Sequence, residues 1–352
     1  MNLKNKVKVM MTAFAVLSIL MPFQGVDAAQ QIKIKMVGTL PVGHHLTTAL
    51  NIYKQYVEQK SNGRVVVEIY PAQQLYNDKD LVTVLPKGAV DMAIANMDMW
   101  TGLVPSVGFF SMPMIFRNED QFYNVAHGKA GDIVKEELQK VRCKGLGWNQ
   151  FDTGAFIFKS PVSTLEDARG KRVRAYGQYG SYFLQSLGMA PIMMSSGEVY
   201  DALQKGTIDG SISGLSSFNS RKHYEVAKYV PDIDISPNAG AYMTIVNLKF
   251  YNSLPADIQK ILSDGAIEIE KYTRKAAQED HLKARKVLIA NGVTFQKISN
   301  AELDRWRALA IPYMKSKFIQ NYDAKKAEIM FASLEAEKQQ AAAKPSAKKK
   351  RK

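Results

Sequence analysis

The 352-residue chain is predicted to fold as an α/β protein of two lobes with a ligand cleft between them. Three observations predict this. Strand and helix patterns alternate from residue 31 to 95. The same alternation restarts near Phe151 and runs to 211. One helical pattern then continues without a break from 255 to 291. Alternation of this kind builds α/β layers, and two such units leave a crevice of the kind that small ligands occupy.

Residues 31–37 set Ile32, Ile34 and Met36 against Lys33 and Lys35, the period of a half-buried strand. A loop with Gly38, Pro41 and Gly43 follows, and residues 46–60 then place Leu50, Tyr53 and Val57 at helical spacing. Ser61-Asn62-Gly63 is a turn and 64–70 a β-branched strand. Residues 78–85 read as a short helix ending near Pro86 and Gly88, and 89–95 as a buried strand. In the second unit, strands are expected at 154–158, 171–175, 192–194 and 207–211, and helices at 164–168, 179–187 and 197–204. Ile258, Ile261, Leu262, Ile269, Tyr272, Ala276 and Leu282 form the apolar stripe of the long helical segment, which Asn291-Gly292 closes.

The ends read differently from the body. Lys4, Lys6 and Lys8 precede an apolar run at 10–21, too short to span a bilayer comfortably, and Val26-Asp27-Ala28 supplies a cleavage point. Residues 1–28 are therefore expected to be a signal peptide, with an uncleaved anchor as the alternative, and the mature chain to be periplasmic. The single cysteine, Cys143, provides no disulfide framework. Of the formal charge of +14, three units belong to Lys4, Lys6 and Lys8. Six more belong to Lys344, Lys348, Lys349, Lys350, Arg351 and Lys352, which leaves +5 for the body. Residues 336–352 read as a disordered basic tail, and no nucleic-acid partner is expected.

The inventory for catalysis is thin. His44 and His45 are adjacent, and His127, His223 and His281 are scattered without metal-ligand spacing. No cofactor motif occurs, and neither a catalytic nor a metal site is expected. A periplasmic hydrolase or isomerase would need a nucleophile–base pair or metal ligands, and the sequence offers neither. Asp91 and Asp209 share a Gly-x-hydrophobic-Asp pattern that looks structural, a turn entering a buried strand. The basic strand Lys171-Arg172-Val173-Arg174 is more informative. A guanidinium fork matches a carboxylate with two parallel hydrogen bonds, but spacing alone does not choose among these cations.

Six segments in order resemble the solute-binding proteins of tripartite ATP-independent periplasmic (TRAP) transporters, the DctP family. They are Val57-Glu58-Gln59-Lys60-Ser61-Asn62-Gly63-Arg64 continuing through Tyr70-Pro71 to Gln74-Leu75; Gly88-Ala89-Val90-Asp91-Met92; Met112-Pro113-Met114-Ile115-Phe116-Arg117; Pro161-Val162 through Leu165-Glu166-Asp167 to Gly170-Lys171-Arg172-Val173-Arg174; Gly188-Met189-Ala190-Pro191 with Gly197-Glu198-Val199-Tyr200 and Ile208-Asp209-Gly210; and Tyr224-Glu225-Val226. The match covers roughly residues 30–320 and leaves the tail outside.

The resemblance implies a two-lobed, periplasmic-binding-protein-like α/β fold with a long helix spanning both lobes. Lobe I is expected at 30–151 and 239–278, and lobe II at 152–238 and 279–335. It implies a receptor that captures a small-molecule carboxylate by lobe closure and hands it to the small and large TRAP membrane subunits, or a sensory module of the same fold. Arg174 falls on the family's carboxylate-binding arginine. Thr39, Asp78, Asn96, Tyr176 and Ser213 match pocket positions. Trp148, Phe151, Phe218 and Tyr242 lie near cleft-forming loops and are candidates to touch the ligand. Sialic-acid-binding members carry a second arginine where this chain has Gly154, and an asparagine where it has Ser213. The expectation is one gripped carboxylate on a compact or aromatic acid.

Overall fold

A computed structural model describes residues 31–343. The signal peptide expected at 1–28 and the lysine-rich end at 344–352 lie outside the described residues. The strands are β1 (Ile32–Gly38), β2 (Val65–Tyr70), β3 (Met92–Ala95), β4 (Cys143–Trp148), β5 (Gly154–Phe158), β6 (Arg172–Ala175), β7 (Ala190–Met193), β8 (Gly210–Gly214), β9 (Tyr229–Pro231), β10 (Met243–Asn247) and β11 (Thr294–Gln296). They form two sheets, ordered β2-β1-β3-β10-β4 and β11-β9-β5-β8-β6-β7.

Each sheet is the centre of one lobe. β1 pairs in parallel with β2 and β3, while β10 returns from the far side of the second unit and lies antiparallel between β3 and β4. In the second sheet β6 lies parallel to β7 and β8, and β5 runs antiparallel to β8. Ala155 and Ile157 alternate with Phe156 and Phe158 along β5, and the two sets belong to different apolar clusters. Both faces of that strand are covered, as a central strand requires.

Asp91 and Asp209 hold equivalent places. Asp91 accepts from the Lys35 N–H at 2.7 Å and donates its own N–H to the Lys35 carbonyl at 3.1 Å. Asp209 does the same with Arg172, at 2.9 and 2.7 Å. Each aspartate ties a turn to the backbone of the neighbouring parallel strand. This is why β3 and β8 begin at Met92 and Gly210, three residues after the predicted starts. β7 begins earlier than predicted and includes Pro191. It is the edge of its sheet, where a missing N–H needs no partner.

The long helix, Ala256–Ala290, has 35 residues, about 50 Å at 1.5 Å per residue. Ile258, Leu262, Ala266 and Ile269 pack in the larger cluster, and Ala284 and Leu288 in the smaller one, so this helix crosses both lobes. Leu282 departs from the predicted stripe and is 61% exposed. It borders an outer groove beside Gln150 and Asp234, where the helix passes between lobes and no core lies beneath it.

The C-terminal region differs from expectation in two ways. The helix Ala324–Ala343 runs on into the stretch predicted to be disordered, because its Ala, Glu, Lys and Gln are strong helix formers. It also docks on the first lobe, although residues up to 335 were expected in the second. Met330 and Leu334 are buried, Lys326 pairs with Glu137 at 2.6 Å, and Gln121 donates to Glu337 at 2.7 Å.

Candidate ligand-binding site

Arg174 lies on β6, between the β7 and β8 neighbours Ile192 and Ser211. Its Nε donates to the Met194 carbonyl and its Nη1 to the Ile212 carbonyl, both at 3.2 Å. These bonds fix the plane of the guanidinium and leave Nη donors for a guest. The residue is only 2% exposed. Burial lowers its pKa, and the charge of Asp78 is the largest opposing effect. No carboxylate among the described residues forms an ion pair with it, whereas Arg172 two positions earlier meets Asp209 at 2.7 Å. Arg172 is thus a structural cation at the outer end of the strand, and Arg174 a buried one without a counter-ion.

Five other residues singled out in the sequence meet around it. Asn96, Phe151, Arg174, Tyr176, Ser213 and Tyr242 line one cavity, together with Leu40, Ser196, Ser217 and Ala239. Phe151 stacks on Tyr242 with ring centres 4.9 Å apart, and His44 extends the stack at 5.4 Å. Burial, reinforced by His45 and Arg221, holds His44 well below the usual histidine range, so its ring is neutral. The Tyr176 hydroxyl is buried without a hydrogen-bond partner, and desolvation raises its pKa, which keeps it a neutral donor.

Asn96 is placed by the turn that follows β3. Its Oδ1 accepts from the Asp98 N–H at 3.0 Å. Gly240 packs against this side chain with φ of +80°, and a Cβ there would lie 2.7 Å from Asn96 Oδ1. Gly240→Val is expected to lower the melting temperature by several degrees. A β-branched residue at positive φ is strained by roughly 1–2 kcal/mol, before any displacement of Asn96. Thermal denaturation read by circular dichroism checks this.

Thr39 and Asp78 do not line this cavity, although Ser196, which does, bonds to Asp78. Asp78 Oδ2 accepts from the Ser196 N–H at 3.1 Å, while its Oδ1 and the Thr39 hydroxyl are buried without partners. Three candidates lie elsewhere. Trp148 is fully buried in the first lobe, its indole N–H donating to the Ala126 carbonyl at 3.2 Å. Phe218 is fully buried in the smaller core. Gly154 is pinned at the start of β5 between Ser236 and Ile235, and a Cβ would meet Ile235 Cγ1 at 2.8 Å. These two aromatics serve packing, and residue 154 has no room for a side chain unless Ile235 moves.

The sequence reading missed Arg221 and Asp98. Arg221 follows the helix Leu215–Ser220 and reaches across to the first lobe. Its Nη2 donates to the Thr39 carbonyl at 2.7 Å and to Ser196 Oγ at 3.0 Å, and its Nε is buried without a partner. A second guanidinium is therefore present near the cavity, supplied from a different segment than the position of Gly154. Asp98 is fully buried and accepts from the Tyr179 and Gly180 N–H groups of the helix Gln178–Ser186, both at 3.2 Å. Desolvation outweighs these bonds and pushes its pKa up to about 7. His223 is buried with both ring nitrogens unpartnered. Desolvation, then Arg221 and Arg174, lower its pKa to about 3, so it adds no charge.

The lobes are drawn together around the cavity. Gln73 donates to Ser196 Oγ at 2.9 Å, and His44 Nε2 meets Ser216 Oγ at 3.1 Å. Among the described residues no cluster of three His, Cys, Asp or Glu side chains could hold a metal, and no helix is long and apolar enough to cross a membrane.

Two α/β lobes closed over a cavity, with a buried arginine on its wall, define a bilobal protein with a cleft between its lobes. The comparisons make the family specific. Residues 36–321 match the bacterial extracellular solute-binding proteins of family 7, DctP, and the chain belongs to that family, whose members are solute-binding receptors rather than enzymes. It is 30% identical over 267 residues to the C4-dicarboxylate-binding periplasmic protein DctP of Rhodobacter capsulatus, covering 74% of this chain and 78% of that protein. The fold is similar to that of a marine-metagenome TRAP solute-binding protein specific for pyroglutamate, with a TM-score of 0.82 and 19% identity over 87% of this chain and 99% of that one. It is also similar to a Desulfovibrio salexigens TRAP solute-binding protein with bound orotic acid, with a TM-score of 0.83 and 21% identity over 88% and 99% of the two chains.

Proposed function

We propose that this protein is the periplasmic receptor of a TRAP transporter, that it captures a small organic acid by lobe closure, and that Arg174 pairs with the acid's carboxylate. The closed complex then delivers the acid to the membrane permease subunits. The observation that carries the reading is the isolation of Arg174, a cation 2% exposed whose two bonded acceptors are neutral carbonyls. A buried charge without a counter-ion costs several kcal/mol, and an anionic guest removes that cost. A carboxylate suits the guanidinium fork because both oxygens can accept at once.

The cavity lining suits an acid with further polar groups, since Asn96, Tyr176 and Ser213 stand beside Arg174. The similar proteins that bind pyroglutamate and orotate support this class of guest. Phe151 and Tyr242 offer a stacked aromatic wall for a flat or apolar portion.

A thermal-shift screen of organic acids on the mature protein tests the proposal, with pyroglutamate, orotate and C4-dicarboxylates included. A ligand bound only by the folded form stabilises it by about 2.7 kcal/mol when present at a hundred times its Kd. At least one acid is expected to raise the melting temperature of the wild type and to leave that of Arg174→Met unchanged. An absence of any acid-induced shift would contradict the reading.

A further inference from the structure

We infer that Arg221 is a specificity-determining residue of the ligand cavity and that, with Asp78, it selects a monocarboxylic acid bearing a hydroxyl or amide group rather than a second carboxylate. This rests on the reading of Arg174 as the carboxylate anchor. Arg64, Arg117, Arg172, Arg274, Arg285, Arg305 and Arg307 each meet a carboxylate, and Arg142 and Arg169 are exposed. Among the described residues, only Arg174, which is buried, and Arg221, which is half-buried, are arginines that are neither exposed nor ion-paired. Arg221 is held by two neutral acceptors, Thr39 O and Ser196 Oγ, and its buried Nε has none.

Asp78 supplies the opposite half of the pattern. Its Oδ2 is satisfied by the Ser196 N–H, and its buried Oδ1 is an acceptor without a donor. Its charge acts on both Arg174 and Arg221. Ser196 lines the cavity and bonds to both residues, so donor and acceptor meet at one residue of the cavity wall. Buried polar groups of this kind favour guests that pair them and reject guests that do not. A hydroxyl or an amide can accept from the Arg221–Ser196 side and donate to Asp78. A methyl can do neither. A carboxylate can only accept, and it would face the Asp78 charge.

The alternative role for Arg221 is a latch that merely holds the lobes closed. Selectivity separates the two, because a latch scales the affinity of every acid alike. The experiment is isothermal titration of the wild type, Arg221→Met, Asp78→Asn and Arg174→Met with matched acids. The series are butyrate, succinamate and succinate, their three- and five-carbon homologues and hydroxy analogues, and cyclopentanecarboxylate against its ring-lactam counterpart. For the wild type, the hydroxy or amide acid is expected to bind about 10- to 100-fold more tightly than its unsubstituted and diacid partners, the worth of a hydrogen bond to a charged group. Arg221→Met is expected to erase that preference, and Asp78→Asn to raise the relative affinity of the diacid. Tightest binding of a diacid or an unsubstituted acid by the wild type overturns the inference. So does an unchanged preference in a folded Arg221→Met. Either result leaves the receptor reading intact if Arg174→Met has lost binding. If no acid binds the wild type, both fall.

Discussion

Arg174→Met is expected to weaken binding of the protein's acid by roughly 30- to 5,000-fold, with the variant still folded. The range corresponds to about 2–5 kcal/mol, the usual cost of truncating one member of a buried, hydrogen-bonded charge pair. The fold survives because the substitution removes a buried cation that has no counter-ion in the unliganded protein. Against that relief stand two hydrogen bonds, to Met194 O and Ile212 O, each of about 1 kcal/mol. Methionine is unbranched and fills the same stem volume beside Tyr176 and Ser213. Arg174→Lys should bind the acid with intermediate affinity, because an ammonium keeps the charge but loses the fork. Calorimetric titration and a cooperative thermal transition together check these outcomes. Loss of the transition in Arg174→Met would instead make the residue structural.

The second large effect is a pH dependence centred on Asp98. The carboxyl lies in the first lobe and accepts from two amides of a helix in the second, so it is buried when the lobes are closed. Its pKa rises from 3.8 to about 7 there, with desolvation as the main cause and the two amide bonds and Arg174 opposing it. The closed form therefore binds more protons than an open or unfolded form between pH 4 and 7. Its stability from this group is complete below pH 3.8 and declines as pH rises through that window, by about 1.4 kcal/mol per unit. The accumulated loss is about 4 kcal/mol, and the profile levels above pH 7. Asp98→Asn should remove this slope. The amide satisfies one fewer backbone N–H, which adds a penalty that does not vary with pH. The variant should thus gain on the wild type by up to about 4 kcal/mol between pH 4 and pH 8, measured by chemical denaturation across that range. Parallel profiles for the two proteins would show that Asp98 does not titrate in this window.

Much of the fold could be read from the sequence because its period signals are local. The alternation over Ile32, Ile34 and Met36, the stripe Ile258-Leu262-Ile269 and the turn at Ser61-Asn62-Gly63 depend only on neighbours. The return of β10 between β3 and β4 is a pairing across more than 90 residues, and nothing in Met243–Asn247 specifies its partner. The docking of Ala324–Ala343 on the first lobe was hidden for the same reason.

The site divides along similar lines. Arg174 lies on β6, and Tyr176 and Asn96 directly follow β6 and β3, so strand ends place them at the cleft. Trp148 and Phe218 were drawn in by proximity to loops, but aromatic side chains at lobe edges are most often core, and both are. Arg221 sits in Asn219-Ser220-Arg221-Lys222, which reads as a solvated charged turn. Only the approach of Thr39 from the other lobe withdraws it from water. Asp98 looked like an ordinary acid after a strand, and its burial comes from a helix about 80 residues later. One signal was available. A chain with few histidines places His223 two residues after Arg221, in a segment otherwise matching the family.

We propose that Arg174 receives the carboxylate in the closed cleft, and a crystal structure of the protein with its tightest-binding acid is the decisive test. Both carboxylate oxygens are expected within about 2.7–3.0 Å of Arg174 nitrogens, with the acid enclosed by Phe151, Tyr242 and Asn96. A carboxylate held elsewhere, with Arg174 still bonded only to the Met194 and Ile212 carbonyls, would contradict it.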